Sequence, residues 1–396
     1  MEIREVIDQF IKLYGGDDSD LRVFASPGRV NLIGEHTDYN GGFVFPAALT
    51  MRSLVVLRPR TDRIVRLKAT DLDMVVEADL DKLEQYKDLK WGNYQLGVAD
   101  ELQKDGYDLV GCDMLFDDTV PLGSGLSSSA AIEVVTGLAF ATLANEKKGV
   151  SDPVDMVYMA KIGQRAENNY VGVNCGIMDQ FASAMGKKDE AIFLRCSDLS
   201  YKMVPIELGD YKVICTNTCK KRSLGAVKYN ERRAECEQGY EILKKYIPEA
   251  SCLGEMSMEQ FRQFEDKIEN PVVRKRVEHV IAEDDRVLRS VEELKAGNLK
   301  EFGSLMIQSH NSLRDLYEVT GIELDTLVEE ALKIDGCIGS RMTGAGFGGC
   351  SVSIVHKNSV DTFIENVTKN YEAKIGYPCK CYVSDIGDGG KEIKEF

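Results

Sequence analysis

Three stretches of the sequence bring together residue types whose spacing suits chemistry. The first is Pro121-Leu-Gly-Ser-Gly-Leu-Ser-Ser-Ser-Ala-Ala131, a glycine-serine loop that runs straight into an apolar helical pattern. Gly123 and Gly125 permit a tight turn and a close backbone approach, while Ser127, Ser128 and Ser129 set hydroxyls where the first N–H groups of a helix lack partners. Such a terminus attracts anions, phosphate among them. No Gly-Lys-Ser/Thr ending follows the glycines, so this is not the common phosphate loop. On the residues alone, a phosphate site and an ordinary turn with a helix cap both stay open.

The second stretch is Gly28-Arg-Val-Asn-Leu-Ile-Gly-Glu-His-Thr-Asp-Tyr-Asn40. Sugar hydroxyls both donate and accept, so the acceptors Glu35 and Asp38 beside the imidazole of His36 suit a carbohydrate. A plain polar turn has the same composition. The third stretch, Gly172-Val-Asn-Cys-Gly-Ile-Met-Asp-Gln-Phe181, presents Asp179, which reads as a helix cap, a surface charge or a catalytic carboxylate.

The elements around these stretches follow from periodicity. Residues 1 to 14 read as a short helix ended by Gly15-Gly16. Strand-like pieces fall at Leu54 to Leu57, Ile64 to Lys68, Met74 to Glu77 and Asp113 to Phe116, the last leading into the glycine-serine loop. Ala131, Val134, Val135, Leu138, Ala139 and Leu143 give the helix after the loop. Asp152-Pro153 has the signature of a helix start, and that helix runs towards Glu167 near its last turns. Strands at Ala191 to Leu194 and Lys212 to Thr216 flank a boundary near residue 200. Charged helical patterns run from about Ala226 to Tyr317 with a break at Pro271. A last helix is expected at Glu323 to Lys333, before a glycine-rich stretch and the alternating strand Cys350 to Val355.

A chain of 396 residues, 43% of them apolar, buries a large core and favours two domains, taken here as 1–200 and 201–396. The net charge of −16 argues against nucleic acid or an anionic membrane as partner. Neither a signal peptide nor an apolar run of membrane-spanning length is apparent, and eleven scattered cysteines read as reduced thiols, so a cytoplasmic protein is expected. Cys215 with Cys219 and Cys379 with Cys381 lack zinc-site spacing. A monomer is the favoured expectation for oligomeric state.

The glycine-serine loop and Ser340-Arg-Met-Thr-Gly-Ala-Gly-Phe-Gly-Gly-Cys350 resemble the motifs of the GHMP small-molecule kinases. The Gly28 to Asn40 stretch and Cys175-Gly-Ile-Met-Asp-Gln180 are similar to the narrower galactokinase signatures. The resemblance spans about Val23 to Val355 and implies an α+β, two-domain GHMP kinase fold. Its first domain is an N-terminal ribosomal-protein-S5-like α/β unit, its second a ferredoxin-like α+β unit, and ATP and sugar meet between them. The implied reaction moves the γ-phosphate of ATP to the anomeric hydroxyl of D-galactose, with Mg²⁺ as cofactor. Two rival readings are a galactose- and ATP-binding sensor without turnover and a kinase for N-acetylgalactosamine or arabinose.

The resemblance also assigns roles. Asp179 and Arg29 are the expected catalytic pair. Glu35, His36, Thr37, Asp38 and Tyr229 are expected on the sugar, although Asn230 stands where the family more often has Pro. Gly123, Ser124, Gly125, Leu126, Ser127, Ser128 and Ser129 are expected on ATP, and Ser129 with Glu167 on the metal. Trp91, Asn93 and Tyr94 resemble a segment near adenine. Arg341 and Thr343 are either close to phosphate or structural, His310 reads as structural, and His279 and His356 carry no signal.

Overall fold

The computed structural model describes residues 1–220 and 225–396. Helix α1 (Ile3–Tyr14) leads into β1 (Arg22–Asn31), the two-residue β2 (Phe43–Val44), the long β3 (Pro46–Pro59), β4 (Ile64–Ala69) and β5 (Val76–Asp79). After α2 (Gly92–Lys104) and β6 (Cys112–Asp118) come three helices, α3 (Ser128–Lys147), α4 (Met156–Ala166) and α5 (Met178–Met185), then β7 (Glu190–Arg195) and β8 (Tyr201–Pro205). The second half holds β9 (Tyr211–Asn217), α6 (Gly225–Leu243), α7 (Met258–Phe264), α8 (Pro271–Lys295), α9 (Leu299–Ser312) and α10 (Gly321–Leu332). It ends with β10 (Cys337–Thr343), β11 (Cys350–His356), α11 (Val360–Ile375), β12 (Lys380–Ser384) and β13 (Lys391–Ile393).

Alternation decides how the first sheet is covered. Val23, Val56 and Leu115 stand side by side on β1, β3 and β6, and they face Val6, Ile7 and Phe10 of α1. Their neighbours Phe24, Val55 and Phe116 point the other way, onto α2 and α3. Because both faces are covered, every residue of β1 after Arg22 is buried, the polar Ser26, Arg29 and Asn31 included. The sheet has the order β13-β1-β3-β6-β4-β5, with β4 and β6 parallel and the other pairs antiparallel. A second sheet runs β10-β11-β9-β12, all antiparallel, against α9, α10 and α11.

Helix α3 is apolar nearly all round, with mean hydropathy 1.2 over an 18-residue window, enough by length and composition to cross a membrane. That window is 78% buried within the protein, where α2, α4, α5 and β1 surround it, so α3 is a core helix.

Three boundaries differ from the expectation. Helix α4 starts at Met156 because the Asp155 carboxylate, not Asp152, accepts the Tyr158 N–H at 3.1 Å. Glu167 lies just past α4, opening a π-helical turn over Glu167–Val171 that closes on Gly172 at φ 89°. The last helix is α11, not α10: Phe363, Val367 and Tyr371 at helical spacing bury against the second sheet. The cysteines form no disulfide among the described residues. Finally, β13 leaves the second half and pairs with β1, setting Ile393 opposite Val23.

Candidate active site

The end of β1 carries the first functional side chains. Between Pro27 and Arg29 the β1–β3 register shifts, and Gly28 lies so close to the glycine-serine loop that a Cβ there would meet the Leu126 carbonyl at 2.6 Å. The loop therefore hangs on β1. The Arg29 N–H donates to the Leu126 carbonyl at 3.0 Å, and Arg29 Nη1 donates to the Gly125 carbonyl at 2.6 Å. The remaining guanidinium edge grips Asp179, with Nε on Oδ1 at 2.9 Å and Nη2 on Oδ2 at 2.8 Å. Such bidentate pairing fixes both planes. Ser127 adds a third donor to Asp179 Oδ2 at 2.5 Å from a left-handed backbone position, φ 63°. This hydroxyl therefore does not cap α3, whose N-terminus faces the same cavity.

That cavity, about 520 Å³, gathers most of the expected residues on one wall or another: Arg29, Glu35, His36, Asp38, Gly123, Gly125, Ser127, Ser128, Ser129, Glu167, Asp179 and Tyr229. Tyr94 lines it too. Three expected contacts do not, each for a local reason. Thr37 is buried, its hydroxyl donating to the Gly34 and Phe43 carbonyls at 3.0 and 2.6 Å to close the sugar-side turn. Ser124 turns inward onto the Pro121 carbonyl at 2.6 Å. Leu126 anchors the loop in the core shared by the two halves. Trp91 packs on Phe116 and Asn93 bonds the backbone of Lys87 and Leu89, so both shape α2's start.

The second half clamps the stretch from Asn31 to Glu35. Glu283 of α8 is fully buried and Oε1 accepts the Gly34 and Glu35 N–H groups at 3.0 and 3.3 Å and the Ser309 hydroxyl at 2.6 Å. Arg341, also fully buried, donates to the Asn31 carbonyl at 2.8 Å and lies 3.4 Å from Glu35 Oε1, which accepts the Gly344 N–H at 2.7 Å. Thr343 bonds the Asn31 backbone at 3.1 Å. Arg341 and Thr343 are thus structural, and the close approach of Gly344 serves Glu35. His310 is structural as expected, accepting the Met342 N–H at 3.2 Å. His279 gave no signal in sequence, yet its Nε2 lies 3.1 Å from the Glu35 carbonyl and its Nδ1 2.8 Å from the Ser312 hydroxyl.

Charge shapes the site. Burial, then the Asp179 carboxylate, push Asp38 up to about 7, while burial holds the His36 and His279 imidazoles down to about 3 and 4. Glu133 went unnoticed in the sequence because it sits in the apolar face of α3. It is buried behind Glu167, and Gln180 Nε2 bridges the two carboxylates at 2.9 Å each. Burial pushes both carboxyls up, with the Glu167 charge adding to the rise at Glu133 and the Asp179 charge to that at Glu167. A hydroxyl and a carboxylate, Ser129 and Glu167, thus share the cavity wall beside Asp179, with negative charge in excess. This oxygen donor set fits Mg²⁺, which takes few protein ligands and completes its shell with phosphates and water. No group of three or more acidic, His or Cys side chains that would cage a metal occurs among the described residues.

The galactokinase galactose-binding signature matches residues 8–59, and the GHMP kinase N-terminal and C-terminal domains match residues 93–187 and 290–373. A galactokinase of Clostridium tetani is 47% identical, covering 99% of this chain and 98% of its own. One from Halalkalibacterium halodurans is 50% identical over 95% of this chain and 94% of its own. The chain belongs to the galactokinase family. The crystal structure of Lactococcus lactis galactokinase complexed with galactose superposes with a TM-score of 0.94 at 40% identity, over 99% of this chain and all of that one. A mevalonate kinase, 18% identical with a TM-score of 0.66, shares the fold, which is the two-domain GHMP kinase fold.

Proposed function

We propose that the chain transfers the γ-phosphate of ATP to the anomeric hydroxyl of D-galactose, giving galactose 1-phosphate and ADP. The observation that carries this is the Arg29–Asp179 pair, held at the junction of the loop side and the sugar side of one cavity. Family membership supports the same reaction.

In this reading Glu35, His36, Asp38 and Tyr229 hold the sugar. The Asp179 carboxylate, oriented by Arg29 and Ser127, takes the proton from the anomeric hydroxyl. That oxygen attacks the γ-phosphorus directly as the bond to the β–γ bridging oxygen breaks, so ADP leaves without a phosphoenzyme. Phosphoryl transfer is dominated by positioning and charge neutralisation, and the cavity-lining residues Gly123, Gly125, Ser127, Ser128 and Ser129 at the α3 terminus would receive the phosphates. Ser129 and Glu167 would hold Mg²⁺, whose charge would offset that of the phosphates. Arg29 stabilises the transferring group from the other side. In the same reading residues 1–200 form the sugar- and nucleotide-binding domain and 201–396 the C-terminal GHMP kinase domain, which brings Tyr229 to the cavity and clamps Glu35, in a cytoplasmic monomer.

The test gives purified protein ATP, Mg²⁺ and a panel of sugars, measures ADP release and locates the phosphorylated carbon. Galactose should be best and glucose poor, since inverting one hydroxyl leaves a site group unpaired at roughly 1 to 3 kcal/mol. Equal turnover of the two sugars, or preference for N-acetylgalactosamine, would sink the assignment. ADP-free galactose binding would favour a sensor, which the intact Ser127 to Ala131 run and the paired Asp179 argue against.

A further inference from the structure

Behind His36 runs a chain of hydrogen bonds that the reaction above does not use. His36 Nδ1 lies 2.8 Å from the Tyr39 hydroxyl, which lies 2.8 Å from the Tyr317 hydroxyl, which in turn lies 3.0 Å from the Cys236 thiol. A neutral imidazole carries one ring proton, so the direction of this chain fixes whether Nε2 is a donor or an acceptor. Nε2 is buried and makes no hydrogen bond within the protein. The Ala345 carbonyl on the same wall favours a proton on the ring, but its geometry falls short of a hydrogen bond.

We infer that Tyr39 is a positioning residue whose hydroxyl donates to His36 Nδ1, so that Nε2 carries the proton and faces the cavity as a hydrogen-bond donor to a sugar hydroxyl. Two arguments set the direction. The first is the chemistry of the wall. Glu35, Asp38 and Asp179 are acceptors, Arg29 and Arg341 spend N–H groups on Asp179, Gly125, Asn31 and Ser309, and Tyr229 offers a single hydroxyl proton to a sugar with several hydroxyls. A sugar hydroxyl that gives its proton to a carboxylate still has lone pairs to satisfy, and a donor must meet them. The second argument is the far end of the chain. Run towards His36, it starts from a thiol, a weak donor, and ends on an imidazole nitrogen, a good acceptor. Run the other way, it ends on sulfur, a poor acceptor, and leaves Nε2 as one more acceptor among carboxylates.

The inference rests on His36 facing the sugar in the proposed reaction, but its primary readout needs neither sugar nor ATP. Nitrogen-15 NMR of the ¹⁵N-histidine-labelled protein, with His36 assigned through His36→Gln, reports which ring nitrogen bears the proton. The parent should show a protonated Nε2 and an unprotonated, hydrogen-bonded Nδ1. Tyr39→Phe should show a mixture of tautomers with the parent's circular dichroism spectrum retained, and KM for galactose should rise roughly tenfold with little change in kcat. Tyr317→Phe leaves Tyr39 able to donate and should keep the parent signature. A proton on Nδ1 in the parent, or an unaltered tautomer in Tyr39→Phe, overturns the inference. Absence of galactose turnover with the parent signature intact would instead count against the proposed reaction.

Discussion

Asp179 accepts from Arg29 and Ser127 while its side chain stays 31% exposed, so it is held firmly and still open to a substrate hydroxyl. If it takes the proton, Asp179→Asn should lower kcat roughly 10²- to 10⁴-fold while galactose and ATP still bind. Arg29→Ala should also cut turnover, and because the two side chains act on one another, the double variant should lose less than the product of the singles. Steady-state kinetics and binding measurements on the three variants check both statements, and multiplicative losses would mean independent action. Asp38 gives a pH signature. Burial and Asp179 raise it to about 7, so kcat/KM for galactose should fall as pH drops below about 7, and Asp38→Asn should flatten that limb. Its effect on the unliganded fold has the opposite sign. The protonated carboxyl favours folding fully below its ordinary value near 4, and that contribution fades as pH rises through about 7. That Asp179, Arg29, Glu35, His36 and Asp38 would gather in one cavity was legible because their motifs are contiguous. Glu283 and His279 were not, since they act on Gly34 and Glu35 from some 245 positions away, with nothing local to mark them.

Two short elements set the spacing of the site. The π turn after α4 aims Glu167 at the cavity, and the bulged end of β1 lets the glycine-serine loop pack on Gly28. Ser129→Ala and Glu167→Gln should each raise the Mg²⁺ concentration needed for half-maximal rate with little change in galactose affinity. Mg²⁺ titrations that overlay the parent's would rule them out as ligands. Gly28→Ala forces a methyl against the Leu126 carbonyl, and should cost about 1–3 kcal/mol of stability by denaturant unfolding and raise KM for ATP. Periodicity located α1, α3, α10 and most strands, because each buries one face or both. It misplaced the start of α4, where two aspartates compete as caps and only backbone geometry chooses Asp155. The π turn has no sequence signature at all.

The two halves share more than a boundary. Val30, Leu32, Phe45 and Leu126 from the first pack in one cluster with Phe302, Leu305, Met306, Cys350 and Val352 from the second. Unfolding should therefore be cooperative across both. Fluorescence of Trp91, the single tryptophan, reports on the first half, and its denaturant transition should coincide with that of far-UV circular dichroism. Separate transitions would mean that the joint core contributes little. The shared core and the return of β13 were not legible, because they depend on pairings between distant residues that no local pattern carries.

That return has a consequence during synthesis. When the ribosome has finished the residues that make β1, β3 and β6, the outer edge of β1 at Val23 to Ala25 still waits for a strand about 370 residues further on. Until Lys391 to Ile393 leave the exit tunnel, a nascent chain presents an open, apolar edge that another chain is able to extend. A pause in synthesis before residues 391–393, or their deletion, would therefore lengthen the time in which neighbouring chains on one polysome pair with each other.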